Sequence, residues 1–305
     1  IAEALKADPD NMTSMDRLTE IFSDPGLQMV SFTITEKGYS LIGPDGLPLP
    51  VVNADIEKGP AHARHAMSIV AALLNKRYQA GKYPLAVVSM DNCSHNGEKL
   101  QQSIIRVAEE WQTRGFVDKG FVDYLKDESK ITFPWSMIDK ITPRPAQGVA
   151  EILAGNGVEN MQPIITGRNT HIAAFVNAER AQYLVIEDKF PNGRPALEKA
   201  GVYMADRDTV NKVERMKVTT CLNPLHTAMS VYGCLLGYSL ISDEMKDPDI
   251  VALIRRLGYV EGLPVVTDPG ILSPKAFIDE VMEERLPNPF MLDSPWRIAT
   301  DTSQK

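Results

Sequence analysis

A chain of 305 residues can bury a sizeable core and is long enough for two domains. Hydrophobic residues make up 44% and charged residues 24%, the balance of an ordinary globular protein, which removes the disordered and fibrous classes. The formal charge of -8 argues against nucleic acid or an anionic membrane as partner, since both attract basic surfaces, and it leaves small molecules.

Met15 to Phe22 reads as a short helix ended by the turn residues Asp24-Pro25-Gly26. Leu27 to Thr35 (LQMVSFTIT) is apolar and β-branched, hence a buried strand, and Glu36-Lys37-Gly38 leads out of it. Gly59-Pro60 precedes an Ala-rich helical stretch from about Ala61 to Gln79, closed by Gly81-Lys82-Tyr83-Pro84. Leu85 to Met90 (LAVVSM) is a second buried strand, and Gly97 to about Arg114 a helix. Strand, helix, strand, helix is the grammar of a parallel sheet covered on both faces, so the expected class is α/β with a partial doubly wound, Rossmann-like domain.

From Tyr183 the pattern holds one more strand (YLVIED), a turn at Pro191-Asn192-Gly193-Arg194-Pro195, and then mainly helical material through Glu284. The expected boundary falls near Asp208, with a Rossmann-like domain over 1–208 and a helical substrate domain over 209–305. No GxGxxG or P-loop is present, and Gly155-Asn156-Gly157 lacks the rest of such a motif. Either no dinucleotide binds or the glycine-rich unit lies upstream of Ile1. The opening Ile1 and the ending over residues 298–305 read as those of an interior piece of a longer polypeptide.

Cys93, Cys221 and Cys234 make no CxxC and no paired framework, which points to a reducing cytoplasm. The longest apolar runs, such as Met67 to Leu74, are too short to cross a bilayer, and no signal-peptide pattern opens the chain.

Three segments carry chemistry. Met216 to His226 gathers Lys217, Asn223 and His226 just before an apolar helical stretch. A lysine with its pKa lowered by burial acts as a general base, and amide and imidazole donors hold an oxygen that gains negative charge, with no metal required. Asp91-Asn92-Cys93-Ser94-His95-Asn96-Gly97 follows the second strand, the place where ligands meet an open parallel sheet; the alternative is a turn in which Asn96 or Asp91 caps the next helix. Phe133 to Pro143 sets Asp139 in an apolar frame, with an Asp139-Lys140 turn pair as the alternative. His62 and His65, at i and i+3, form a possible metal pair, and with Asp139 they would suit a metal-dependent hydrolase, but no third ligand is close in sequence. Cys221 and Cys234 sit in apolar sequence and read as core.

Taken together, these segments resemble the mannitol dehydrogenase family of polyol-specific long-chain dehydrogenases. Its DNxxxNG is matched by Asp91, Asn92, Asn96 and Gly97, its MVDRITP by Met137 to Pro143, and its IEDxFxxGRPxxExxG by Ile186 to Gly201. Its KxxxLNxxH is matched from Lys217 to His226, and its RIAxDxSQK by Arg297 to Lys305. The matches run in family order over nearly the whole chain. The resemblance implies a metal-independent hydride transfer between NAD or NADP and C2 of a hexuronate/aldonate pair (D-fructuronate/D-mannonate, favoured because Arg297 and Lys305 both suit a carboxylate) or of a polyol pair (D-mannitol/D-fructose). It implies Lys217 as the base, Asn223 and His226 as the pair that polarises the substrate oxygen, and Asp139 as support for the lysine. Arg297 and Lys305 would grip distal hydroxyls or a carboxylate, Asn92 or Asn96 would lie near both nicotinamide and substrate, and Thr35, Asn92, Asn96 and Lys217 would border the cofactor. The alternative is a sugar-binding or regulatory relative that has lost catalysis.

One departure bears on that alternative. The family step from base to asparagine is five positions, whereas Lys217 to Asn223 is six. In one regular helix Lys217 and His226, nine residues apart, would stand about 180° from each other. A π-bulge that absorbs the extra residue, or a helix that begins only at Asn223, brings them back together; the β-branched run Val218-Thr219-Thr220 and Pro224 offer means for both, with Asn223 as a plain N-cap the competing reading.

Overall fold

The computed structural model describes residues 3, 5–140, 144–167, 169, 171–176, 178, 183–290 and 293–300, apart from the side chain of Asp139. In chain order, α1 (Met12–Ser23) is capped by the Asn11 side chain and followed by β1 (Met29–Phe32). α2 (Pro50–Lys58) has proline in its first turn, where the missing N–H costs nothing, and α3 (Ala66–Gly81) is capped by His65. β2 (Leu85–Ser89), α4 (Asn96–Thr113), α5 (Lys119–Lys126), β3 (Ile131–Thr132) and β4 (Ser136–Asp139) follow. Then come α6 (Gln147–Gly155), the short strands β5 (Ile164–Ile165) and β6 (His171–Ile172), β7 (Tyr183–Glu187) and β8 (Tyr203–Ala205). The remainder is helical: α7 (Arg207–Met216), α8 (Asn223–Leu236), α9 (Ile241–Glu244), α10 (Pro248–Arg255), α11 (Pro274–Glu280) and α12 (Pro295–Thr300), with π-helical turns at Lys217–Cys221, Arg256–Gly262 and Val281–Arg285.

The chain forms two compact units, residues 1–138 with 184–210 and residues 139–183 with 211–305. Helix α7 begins in the first and ends in the second. The first unit is the α/β layer expected of a Rossmann-type domain. Its strands lie in the order β1-β2-β3, all parallel, with helical crossovers between them, and β4-β7-β8 form a further sheet in which β7 and β8 are parallel. Every residue of β2 is buried, because helices cover one face and the β7 layer the other. On the helical side Met67, Leu74, Leu100, Ile104, Trp111, Phe121 and Leu125 pack with Leu85 and Val87, and on the other Ala86 and Val88 meet Ile186.

Two buried polar groups tie this unit together. Arg77, fully buried on α3, donates to the carbonyls of Phe22, Asp24, Leu27, Tyr83 and Pro84, joining the end of α1 to the entries of β1 and β2. Asp55 accepts from the N–H groups of Arg64 and His65 at the start of α3, while its own carbonyl accepts from the Trp111 indole. Among the described residues the strands of the second unit are β4's last residue, the β5–β6 pair and the first residue of β7, and its other regular elements are helices.

Several expected elements shift at their ends. The strand expected over 27–35 stops at Phe32, and the helix expected from about Ala61 starts at Ala66 after a 3-10 turn, Pro60–His62. His62 and His65 therefore do not share a helix face: His62 ends that turn, and His65 uses Nδ1 to accept from the Met67 N–H as the cap of α3. Cys221 is buried as expected, but Cys234 is exposed, since it lies on the outer side of α8.

Candidate active site

In the first unit, β1 and β2 pair with Phe32 opposite Ser89, so the loops that leave them begin side by side. Asp91 is buried in the second loop and grips the first. One carboxylate oxygen accepts from Ile34 N (2.9 Å) and from the Tyr39 hydroxyl, and the other from Thr35 N (2.8 Å). Burial first, and the bond to Asp91 second, raise the Tyr39 phenol well above its ordinary value. This grip explains why the strand ends early: the amides of residues 34 and 35 are drawn to a side chain instead of to β2. Thr35 is left exposed at φ 66°, ψ 161°, a conformation that only glycine adopts freely and that costs a β-branched residue on the order of 1–3 kcal/mol.

Asn92 and Asn96, which spacing alone left equivalent, differ sharply. Asn96 is buried, and its amide nitrogen donates to Asp91 O (2.9 Å), Ser136 O (3.0 Å) and Ser136 Oγ (3.0 Å), while its oxygen accepts from Ser136 N (3.1 Å) and Gly97 N (2.7 Å). It is a clamp between the end of β2 and the start of β4, and its polar atoms are committed to protein. Asn92 is exposed. Gly97 is needed beside this clamp, since a Cβ there would stand 2.7 Å from both Phe133 O and Trp135 Cδ1. Trp135 itself stacks on His95 (4.4 Å between ring centres) and lies under the Arg207 guanidinium (5.1 Å), which pairs with the buried Glu187. Neither ring contact was legible from sequence.

Thr35 and Asn92 are exposed at these strand ends, together with Thr33, Ser94 and His95, and the Asp91 carboxylate accepts from N–H and O–H donors. Such a set fits the ribose hydroxyls and carboxamide of a nicotinamide nucleotide, at the place where parallel sheets receive one, and not a metal ion. Cys93 lies in the same loop, and burial pushes its thiol up to about 11, which removes it as a nucleophile at neutral pH.

In the second unit the extra residue between Lys217 and Asn223 is absorbed. Residues Lys217–Cys221 form a π-helical turn closed by Leu222 N to Lys217 O (3.1 Å), an i+5 bond. Leu222 then leaves the helical region at φ -133°, ψ -62°, and α8 starts afresh at Asn223 with Pro224 in its first turn. Both devices that the residue pattern offered are thus used. Asn223 is the first helical residue, not the N-cap, which is Leu222. Lys217 is buried, and Asn223 and His226 are half-buried one turn apart on α8. On one continuous axis, with the π-turn counted as one absorbed residue, Lys217 and His226 would stand about 80° apart instead of 180°. Cys221 closes the turn with Sγ toward Pro274 O (3.8 Å), and burial pushes its thiol up to about 12.

Asp139 is the last residue of β4, and its side chain lies outside the described residues, as does Lys305. Arg297 sits on α12, which packs on α8, and makes a two-pronged pair with Asp293 through Nε and Nη2 (both 2.8 Å). The arginine that the motif expects to grip a substrate is thus paired with a protein carboxylate. Lys217, Asn223, His226 and Arg297 fall in the second unit, and Thr35, Asn92 and Asn96 in the first.

Two family models match the chain: the mannitol dehydrogenase Rossmann domain over residues 5–199 and the mannitol dehydrogenase C-terminal domain over residues 209–305. D-mannonate oxidoreductase of Thermotoga maritima is 54% identical over 307 residues, covering 100% of this chain and 56% of that protein. Among solved structures, substrate-free D-sorbitol dehydrogenase superposes with a TM-score of 0.78 at 28% identity, covering 95% of this chain and 56% of that one. Mannitol 2-dehydrogenase of Pseudomonas fluorescens, in a ternary complex with NAD and D-mannitol, gives a TM-score of 0.72 at 28% identity, covering 94% and 54%. The chain spans about half the length of the relatives it matches.

Proposed function

The chain belongs to the mannitol dehydrogenase family, and from that premise we propose that it serves an NAD(P)-dependent oxidoreductase that interconverts D-mannonate and D-fructuronate by hydride transfer at C2 of the ketose acid, which is C5 of the aldonate, in preference to D-mannitol and D-fructose. The observation that supports the reading is the π-helical turn at Lys217–Cys221, which absorbs the extra residue between the buried Lys217 and the helix that bears Asn223 and His226.

In the oxidation direction neutral Lys217 takes the proton from the C5 hydroxyl of D-mannonate as hydride leaves the same carbon, so the C–O single bond becomes the carbonyl numbered C2 in D-fructuronate. Asn223 and His226 donate to that oxygen and stabilise the alkoxide character of the transition state. The nicotinamide ring, when bound, supplies the two-electron acceptor. Thr35 and Asn92 are the side chains assigned to its ribose and carboxamide, and Asn96 keeps the Asn92 loop in place from beneath. In reduction the protonated Lys217 returns its proton to the same oxygen. Asp139 is assigned the support of the lysine, as the family motif implies. The proposed domain division is a nucleotide-binding part over 1–208 and a substrate part over 209–305.

The preference for a sugar acid draws on the 54% identity to D-mannonate oxidoreductase and on Arg297, whose Nη1 edge is outside the Asp293 pair and suits a carboxylate, with Lys305 as its companion. The test is turnover of D-fructuronate against D-fructose with NADH and NADPH. The reading expects fructuronate to be reduced with the higher kcat/KM; faster fructose reduction overturns the substrate, and no nucleotide oxidation with either overturns the activity.

A further inference from the structure

We infer that Asp91 is a positioning residue for the nucleotide: its carboxylate holds the Thr35 turn in the strained form that the cofactor binds. The inference rests on the nicotinamide reading above and concerns a residue outside the proposed catalytic set.

Three donors converge on a buried carboxylate, the N–H groups of Ile34 and Thr35 and the hydroxyl of Tyr39. The same tyrosine shares a 2.8 Å hydrogen bond with Ser89 at the end of β2, and the Asp91 carbonyl accepts from Asn96. Asp91, through its carboxylate and its carbonyl, thus locks together the loops at the ends of two adjacent parallel strands and the first residue of α4. The lock is directional, because N–H bonds to a charged acceptor are short and strong and each amide must stay aimed at its oxygen. What it enforces is a Thr35 backbone in glycine's territory. A turn needed only for chain reversal would be relieved by glycine at that place; instead an exposed, hydroxyl-bearing residue is kept there against its preference. Strain of this kind, held by its surroundings at the carboxyl end of a parallel strand, marks a ligand-contacting turn.

Asp91→Asn tests this in the intact protein. The amide keeps the shape but replaces one acceptor by a donor facing the amides of residues 34 and 35. The account expects the dissociation constant of NADH, or of NADPH if that is the form bound, to rise at least tenfold, while KM for the sugar acid changes less than twofold. Hydrogen exchange at the 34 and 35 amides should quicken. In a Thr35→Gly background, where the turn needs no enforcement, the same substitution should weaken nucleotide binding threefold or less. Wild-type affinity in Asp91→Asn, an equal loss in nucleotide and sugar parameters together with a lower melting temperature, or an undiminished effect in the glycine background each overturns the inference, and leaves the oxidoreductase reading standing. A wild-type protein that binds neither nucleotide overturns that reading first and the inference with it.

Discussion

Glu244, the last residue of α9, is fully buried, and among the described residues neither of its carboxyl oxygens has a hydrogen-bond partner. It rests on the backbone of α8: a Cβ on Gly233 would lie 2.1 Å from its Oε1. Burial pushes its pKa from the ordinary 4.5 up to about 7. A group that holds its proton more tightly when folded stabilises the fold at low pH. That contribution is lost as pH rises from the unfolded value toward the folded one. At about 1.36 kcal/mol per pH unit, the loss amounts to roughly 2 to 3 kcal/mol between pH 5 and pH 8. Glu244→Gln stays neutral throughout. The expected result, from urea unfolding monitored at pH 5, 6, 7 and 8, is near-equal stability of the two proteins at pH 5 and an advantage to the variant of about 2 kcal/mol or more at pH 8. A difference that is constant with pH, or a variant that loses ground as pH rises, refutes the reasoning.

Further outcomes follow from other parts of the structure. Removing Thr219 shortens the π-turn to an ordinary helical turn and restores a five-residue step from Lys217 to Asn223, so oxidation of D-mannonate should stay within tenfold of wild type; removing Val218 as well turns Lys217 by about 100° relative to His226 and should abolish turnover. Loss of activity in the first deletion, at unchanged melting temperature, would count against the phase argument. Arg77→Lys lacks the planar fork that serves five carbonyls, and should cost at least about 3 kcal/mol in denaturant unfolding; a cost below 1 kcal/mol would show that those carbonyls find other donors.

How much of this was legible in the residues depended on whether the determining force was local. The strand Leu85–Ser89 and the helix Asn96–Thr113 were readable because their apolar patterns are local facts. The early end of β1 was not, since it is imposed by Asp91, 56 or more residues away in sequence. The π-turn is the instructive middle case: a spacing that disagreed by one residue, beside a β-branched run and a proline, announced a break in the helix, and the break lies there. Spacing could not separate Asn92 from Asn96, because what divides them is burial against Ser136 of β4. Short elements such as β3 and the 3-10 turn at Pro60–His62 carried too few residues to show a period, and the solitary burial of Glu244 left no trace in the sequence at all.

The assignment of Lys217 as the proton acceptor is tested most directly by the pH dependence of kcat/KM for D-mannonate oxidation in the wild-type protein and in Lys217→Ala. The account predicts a wild-type rate that rises with pH to a plateau, and a variant reduced by about 10²–10⁴ whose rate lacks that rise, with nucleotide affinity unchanged. A variant within threefold of wild type over the whole range would contradict it.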